Sequence, residues 1–239
     1  MKSIEVKNIS YTYPDGIEVF RNISYSVSGG ESFGIVGPNG AGKTTMLLAL
    51  SGLIDIAGDI IIEENKINKK NIREIRKKIS YVFQNPDDQL FMPTVFEDIS
   101  FGLEKLGYSD EQIRTEVERS LEMVSLEGFE ERSSHHLSLG QKKRVNLASA
   151  FARNSGILLL DEPTNELDPK GRRDFIELIQ KFKGTKVIVS HDLNMIAELC
   201  NKVMILNNKK IESMGETKKI LSNKKLMEEN SLEVPCILK

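Results

Sequence analysis

Cysteine is scarce in these 239 residues: Cys200 and Cys236 lack CxxC spacing, which argues against a disulfide framework and a cysteine-based zinc site. Histidine is almost as rare. The adjacent His135 and His136 have no further ligand cluster beside them and read as surface residues, not a metal centre. No apolar run approaches the roughly 20 residues of a membrane helix, because GILLLDEP and KVIVSHD are short and interrupted by charge. MKSIEVKNIS also lacks the apolar centre of a secretory signal, so a cytosolic chain is expected. Charge of one sign is missing too: a formal net charge of -2 gives no global attraction to nucleic acid or anionic lipid. Long repeats and low-complexity tracts are likewise absent. What remains, 39% hydrophobic and 28% charged residues, is globular composition, with enough chain for one domain carrying subdomains.

SIEVKNISYTY and IEVFRNISYSV alternate at the strand period about a PDG turn, which predicts an antiparallel hairpin. SFGIVG then gives a short buried strand, and PNGAGKTTMLLALSGL a glycine-rich loop running into a helix. GDIIIEENKI and KKISYVFQNPDDQ supply further strands. In SDEQ, Ser109 and Gln112 form a capping box, after which Ile113, Val117, Leu121 and Val124 share a helical face. GILLLDE and TKVIVSHD read as buried parallel strands flanking the helix-like DPKGRRDFIELIQKF, a βαβ unit. The tail from about Glu212 is charged and weakly patterned.

Chemistry enters at GPNGAGKT, Gly37 to Thr44, which fits G-x-x-x-x-G-K-[ST] between a predicted strand and helix. Glycines let successive N–H groups turn toward phosphate oxygens, and the helix end adds its positive pole. The loop residues Gly37, Pro38, Asn39, Gly40, Ala41, Gly42, Lys43, Thr44 and Thr45 are therefore candidate nucleotide contacts. Lys43 supplies charge for the β and γ phosphates, and Thr44 a hydroxyl for Mg2+. The apolar strand ending in Asp161 and Glu162 is the matching half: Asp161 is expected to hold Mg2+, and Glu162 to polarise the attacking water as general base. No guanine-reading NKxD motif accompanies them, which favours ATP.

HHLSLGQKKRVNLASAFARN poses the next question, since Ser138 and Gln141 are spaced as a capping box that could simply open a helix. Together with the phosphate loop and DEP, it resembles the LSGGQ signature of ABC-type ATPases. That resemblance covers nearly the whole chain and implies an α/β P-loop NTPase (RecA-like) core sheet, an antiparallel β subdomain and an inserted helical subdomain. The corresponding boundaries are about 1–85 with 151–222 for the core, about 86–150 for the helical part, and 223–239 for a tail. It also implies that Ser138, Gly140 and Gln141 complete the ATP site of a partner subunit, with Lys142 to Arg144 adding positive charge. Leu139 replaces the second glycine of the motif. Leucine resists positive φ, so an altered local geometry is expected there, though with competence retained.

Further positions follow from the same resemblance. Tyr13 stands where an aromatic stacks on adenine, with Tyr11 as the alternative and strand packing open to both. Gln84 in YVFQNP matches a glutamine that touches Mg2+ or the attacking water. Asp168 in TNELDP matches the D-loop aspartate, beside a Glu166 where a small residue is common. His191 matches the switch histidine that contacts the γ phosphate. The stretch FQNPDDQLFMPTVFEDISFGL is similar to ATP-binding subunits of energy-coupling-factor importers, and SLEVP also fits them. This implies a second ATPase subunit, either another copy or a paralogue, an integral membrane scaffold, and a substrate-binding membrane subunit. The expected place is the cytoplasmic face of the membrane. Cobalt or nickel is the first expectation for cargo and a vitamin such as biotin the alternative, with no nucleic acid partner. With about 48 residues after His191, a C-terminal dimerisation domain is not expected. A non-transport ABC ATPase on DNA or ribosomes, or a P-loop kinase or regulatory binding module, fits fewer of these motifs.

Overall fold

The computed structural model describes residues 2–239. The alternating amino-terminal segments pair as β1 (Lys2–Thr12) and β2 (Glu18–Ser28), antiparallel, with Ile4, Val6 and Ile9 facing Phe20, Ile23 and Val27 in one core. β4 (Ala57–Ile62) pairs antiparallel with the other edge of β1 and carries the short β5 (Asn65–Lys66), giving the order β2-β1-β4-β5.

A second sheet contains β3 (Ser32–Val36), β6 (Ile79–Val82), β7 (Ile157–Asp161), β8 (Thr185–Val189), β9 (Lys202–Asn207) and β10 (Lys210–Glu216), in the order β10-β9-β3-β8-β7-β6. All pairings are parallel except that of β9 with the edge strand β10. Burial on both faces explains the continuous apolar runs. In β7, Ile157 and Leu159 enter the core shared with the first sheet, while Leu158 and Leu160 enter the helical core.

The helix α1 (Lys43–Leu50) lies in the first core and α2 (Ile72–Lys77) at its margin. On the other side, α3 (Val95–Glu104), α4 (Asp110–Met123) and α5 (Leu139–Ala152) pack on one another. Each opens with a two-way capping box, Thr94 with Glu97, Ser109 with Gln112 and Ser138 with Gln141. Ile113, Val117 and Leu121 form the buried face of α4, and Val124 caps its end. α6 (Pro169–Lys181) crosses from β7 to the parallel β8, completing the βαβ unit, and α7 (Leu193–Leu199) follows. The weakly patterned tail is not structureless: it supplies β10, α8 (Thr217–Leu221) and α9 (Lys224–Glu229).

The spatial order β3-β8-β7-β6 carries the functional consequence. Four adjacent parallel strands deliver residues 37–44, 190–191, 161–162 and 84 to one rim of the sheet, where α/β folds bind ligands.

Candidate nucleotide site

Glycine is required at two points of the loop leaving β3. A Cβ on Gly37 (φ 155°) would collide with the carbonyl oxygen of Leu206, and one on Gly42 (φ 90°) with Val19. Gly42 also caps α1, leaving the first N–H groups of that helix directed into the loop. Lys43 is buried, and its ammonium donates to the carbonyls of Gly37 at 2.9 Å and Pro38 at 3.0 Å. Burial pushes its pKa down, against the opposing pull of Glu162 and Asp161.

The acids at the end of β7 occupy different environments. Asp161 is 2% exposed and accepts from the Thr44 hydroxyl at 3.1 Å and the Tyr81 hydroxyl at 3.3 Å. Burial raises its pKa, and the neighbouring Glu162 raises it further, while Thr44, Tyr81 and Lys43 oppose the rise. Among the described residues no cluster of three His, Cys, Asp or Glu side chains forms a self-sufficient metal cage. One buried carboxylate beside a threonine hydroxyl is an oxygen donor set suited to Mg2+, which uses few protein ligands and completes its octahedron with phosphate and water.

Glu162 adopts φ 44°, a left-handed conformation that costs a non-glycine residue about 1 kcal/mol. Its surroundings hold it there. The main-chain N–H of Glu162 donates to Val189 at 2.9 Å, and its carboxylate accepts from the N–H of His191 at 3.0 and 3.1 Å and from the Ser190 hydroxyl at 3.0 Å. The His191 Nδ1 lies 2.7 Å from Glu162 Oε2, leaving the rest of the exposed imidazole facing the cleft. Ser190, Tyr81 and Asn165, another residue of the cleft wall, were not singled out from sequence. For Ser190 the signal was its place between the apolar strand and His191.

A cleft of about 700 Å³ joins Tyr13, Gly40, Lys43, Gln84, Glu162 and His191, with Asn39, Gly42, Thr44 and Thr45 also in its wall. Tyr13 is 41% exposed, and its hydroxyl lies 2.8 Å from that of Thr45. Tyr11 instead packs between Tyr13 and Phe20, so the two tyrosines separate into a cleft residue and a packing residue. Pro38 lines a neighbouring recess with His191 and residues 231–236, and Ala41 donates its N–H to the Pro38 carbonyl within the loop turn.

Ser138, Gly140, Gln141 and Asp168 do not line this cleft. Ser138 and Gln141 satisfy each other in their capping box, and Asp168 caps α6 through the N–H of Gly171. Leu139 is the first residue of α5 and has no positive φ, so replacing glycine brings no backbone strain there. Its side chain lines a smaller cavity of about 280 Å³ beside Thr44, Gln84 and Asp161. The expected positive charge at 142–144 is corrected by the structure: Lys142 pairs with Asp87, Arg144 with Asp174, and Lys143 turns into the interior. Successive residues on a helix point roughly 100° apart, so three consecutive cations cannot serve one surface. His135 and His136 are exposed.

An apolar groove of about 320 Å³ lies where Leu53, Tyr81, Phe83, Phe91 and Phe101 meet Arg76 and Arg153. Phe91 is 60% exposed and stands edge-on to Phe101 at 5.3 Å. No helix among the described residues is long and apolar enough to cross a membrane.

Comparisons with known proteins point to one family. The family model described as ABC transporter matches residues 20–165. The energy-coupling factor transporter ATP-binding protein EcfA of Methanococcus maripaludis is 41% identical over 99% of this chain and 87% of its own length. Among solved structures, cbiO1 from Clostridium perfringens, described as part of the ABC transporter complex cbiONQ, superposes with a TM-score of 0.84 at 30% identity, over 95% of this chain and 94% of that one. The ATP-binding cassette MJ0796, in a dimeric post-hydrolysis state bound to ADP and Pi, gives 0.80 at 30% identity, over 90% of this chain and 98% of that one.

Proposed function

Because the chain belongs to the ABC transporter family, as an ATP-binding ATPase subunit similar throughout its length to energy-coupling-factor proteins, we propose that it works as one half of a pair that closes on ATP to drive a membrane importer. The observation that carries this reading is the division of its motifs into two surfaces. The phosphate loop, Gln84, Glu162 and His191 line one cleft, while Ser138, Gly140, Gln141 and Asp168 lie outside it. Ser138, Gly140 and Gln141 of the partner subunit then cover the γ phosphate, which makes two ATP sites from two incomplete ones. The pair is formed by a second copy or a paralogue.

Within each cleft, Tyr13 stacks on adenine, the loop N–H groups and Lys43 hold the phosphates, and Glu162 takes a proton from the attacking water. Thr44, Asp161 and Gln84 would hold Mg2+, which neutralises charge on the β and γ oxygens. His191, hydrogen-bonded to Glu162, contacts the γ phosphate. Loss of that phosphate removes the bridge between subunits, and the pair reopens.

The three-part division of the chain gives this cycle its mechanical output. Core residues 1–85 with 151–222 hold ATP, the helical residues 86–150 carry the signature to the partner, and 223–239 form a tail. The groove at Phe83, Phe91 and Phe101 receives a cytoplasmic helix of an integral membrane scaffold, which places this subunit peripherally on the cytoplasmic face. A substrate-binding membrane subunit completes the importer. Its cargo is cobalt or nickel, on the resemblance of residues 83–103; a vitamin such as biotin is the alternative.

The test is affinity capture of the tagged chain from native membranes, with proteins and small molecules identified by mass spectrometry. A scaffold protein together with a metal- or vitamin-binding membrane protein is the expected catch. Recovery of ribosomes or DNA-repair proteins in their place would keep the ATPase and refute the transport role.

A further inference from the structure

Lys143 carries a charge that no motif accounts for. It lies on the second turn of α5 and is only 3% exposed. Burial pushes its pKa down, opposed by Glu166 and Glu162. A buried ammonium is costly unless its donors find partners, and here two of the three meet main-chain carbonyls from the segments that follow two different strands. One belongs to Gln84, just beyond β6, at 3.3 Å; the other to Pro163, just beyond β7, at 3.2 Å.

We propose that Lys143 is a positioning residue that fixes the Gln84 segment and the Glu162 turn relative to each other and to α5. This inference rests on the hydrolytic roles given above to Gln84 and Glu162. Two further contacts define the body to which it belongs. Lys142 pairs with Asp87 at 2.6 Å, and Asn146 donates to the Pro86 carbonyl at 3.4 Å, so α5 already grips residues 84–87 along one side. Those contacts reach only the Gln84 segment. Lys143 adds the link to Pro163, the residue after Glu162, whose carboxylate direction depends on a strained backbone. A movement of α5, whose first turn is the signature, is thereby transmitted to both segments through one ammonium group. Lys143 also lines the small cavity that it shares with Thr44, Asp161 and Glu166.

The experiment compares Lys143→Met, of similar length but without donors, with Lys143→Gln, which keeps N–H donors without charge. ATP turnover, ATP affinity and thermal unfolding are measured on the full chain, beside wild type and Glu162→Gln. Lys143→Met should lower kcat by about tenfold or more, the scale of a small misplacement at a reacting centre, while Kd for ATP stays within about threefold. Lys143→Gln should recover a measurable part of the loss. Wild-type kcat in the methionine variant overturns the proposal, as does an equal loss in both variants or a loss confined to Kd. If Lys143→Met does not unfold cooperatively, Lys143→Arg replaces it, since its longer side chain displaces both carbonyls; wild-type kcat there also overturns the proposal. A wild-type rate in Glu162→Gln would remove the underlying reading, whereas an inert Glu162→Gln beside a fully active Lys143→Met removes the positioning role alone.

Discussion

Replacing Glu162 by glutamine exchanges one carboxylate oxygen for an NH2 group in a site that can accept it. The N–H of His191 can still donate to the remaining oxygen, and the Ser190 hydroxyl can rotate to accept from the new amide. Charge-assisted bonds become neutral ones, a loss of about 1 kcal/mol each, largely offset because a buried charge no longer needs compensation. Global stability should therefore move by less than about 1 kcal/mol. Turnover has no such compensation. A positioned general base contributes roughly 10²–10⁴-fold, or about 3–5 kcal/mol of barrier, and the amide cannot accept the water proton. Phosphate release at saturating ATP should fall by at least about 10²-fold, with nucleotide affinity retained and an ATP-bound pair persisting in light scattering. Turnover within about twofold of wild type, at full nucleotide occupancy, would refute the general-base assignment.

Two further perturbations separate binding from folding. Asp161 is held with a raised pKa chiefly by burial, so its ionisation weakens the nucleotide-free fold. That penalty is absent below the ordinary value of 3.8 and fully developed above the raised folded-state value. Asp161→Asn should raise the melting temperature at neutral pH, lose that advantage as pH falls toward 3.8, and abolish Mg2+-dependent turnover; an advantage independent of pH would contradict this origin. Tyr13→Ala should weaken ATP binding by roughly tenfold or more through lost stacking, whereas Tyr11→Ala should lower the melting temperature and spare affinity, both readable by calorimetry. The opposite pattern would exchange their roles.

The core of the fold was legible because β3, β7 and β8 are buried on both faces and end in residues whose chemistry is distinctive. The capping boxes at Ser109 and Ser138 were legible for a similar local reason: three-residue spacing determines them. α2 escaped notice since only Ile75 among its six residues is buried, too little for a helical period to show. β10 is half-buried along its length, and α9 buries only Met227, so the tail alternates weakly although it is ordered. β9 is a short apolar run, KVMILN, whose sheet position comes from its pairing with β3. Residue type also did not give direction. Lys142, Lys143 and Arg144 look equivalent in sequence, yet their ammonium and guanidinium groups meet Asp87, two carbonyls and Asp174 respectively.

One part of the grip on Glu162 is independent of its neighbours' side chains. The N–H of His191 is common to every amino acid except proline, so one codon can undergo two kinds of change with different consequences. Exchanging the imidazole alters what faces the cleft and removes the Nδ1 contact, while the carboxylate keeps its main-chain donor. Proline at 191 would release that anchor and leave Ser190 as the remaining donor. A substitution survey of this position should therefore divide by backbone chemistry before it divides by polarity or size.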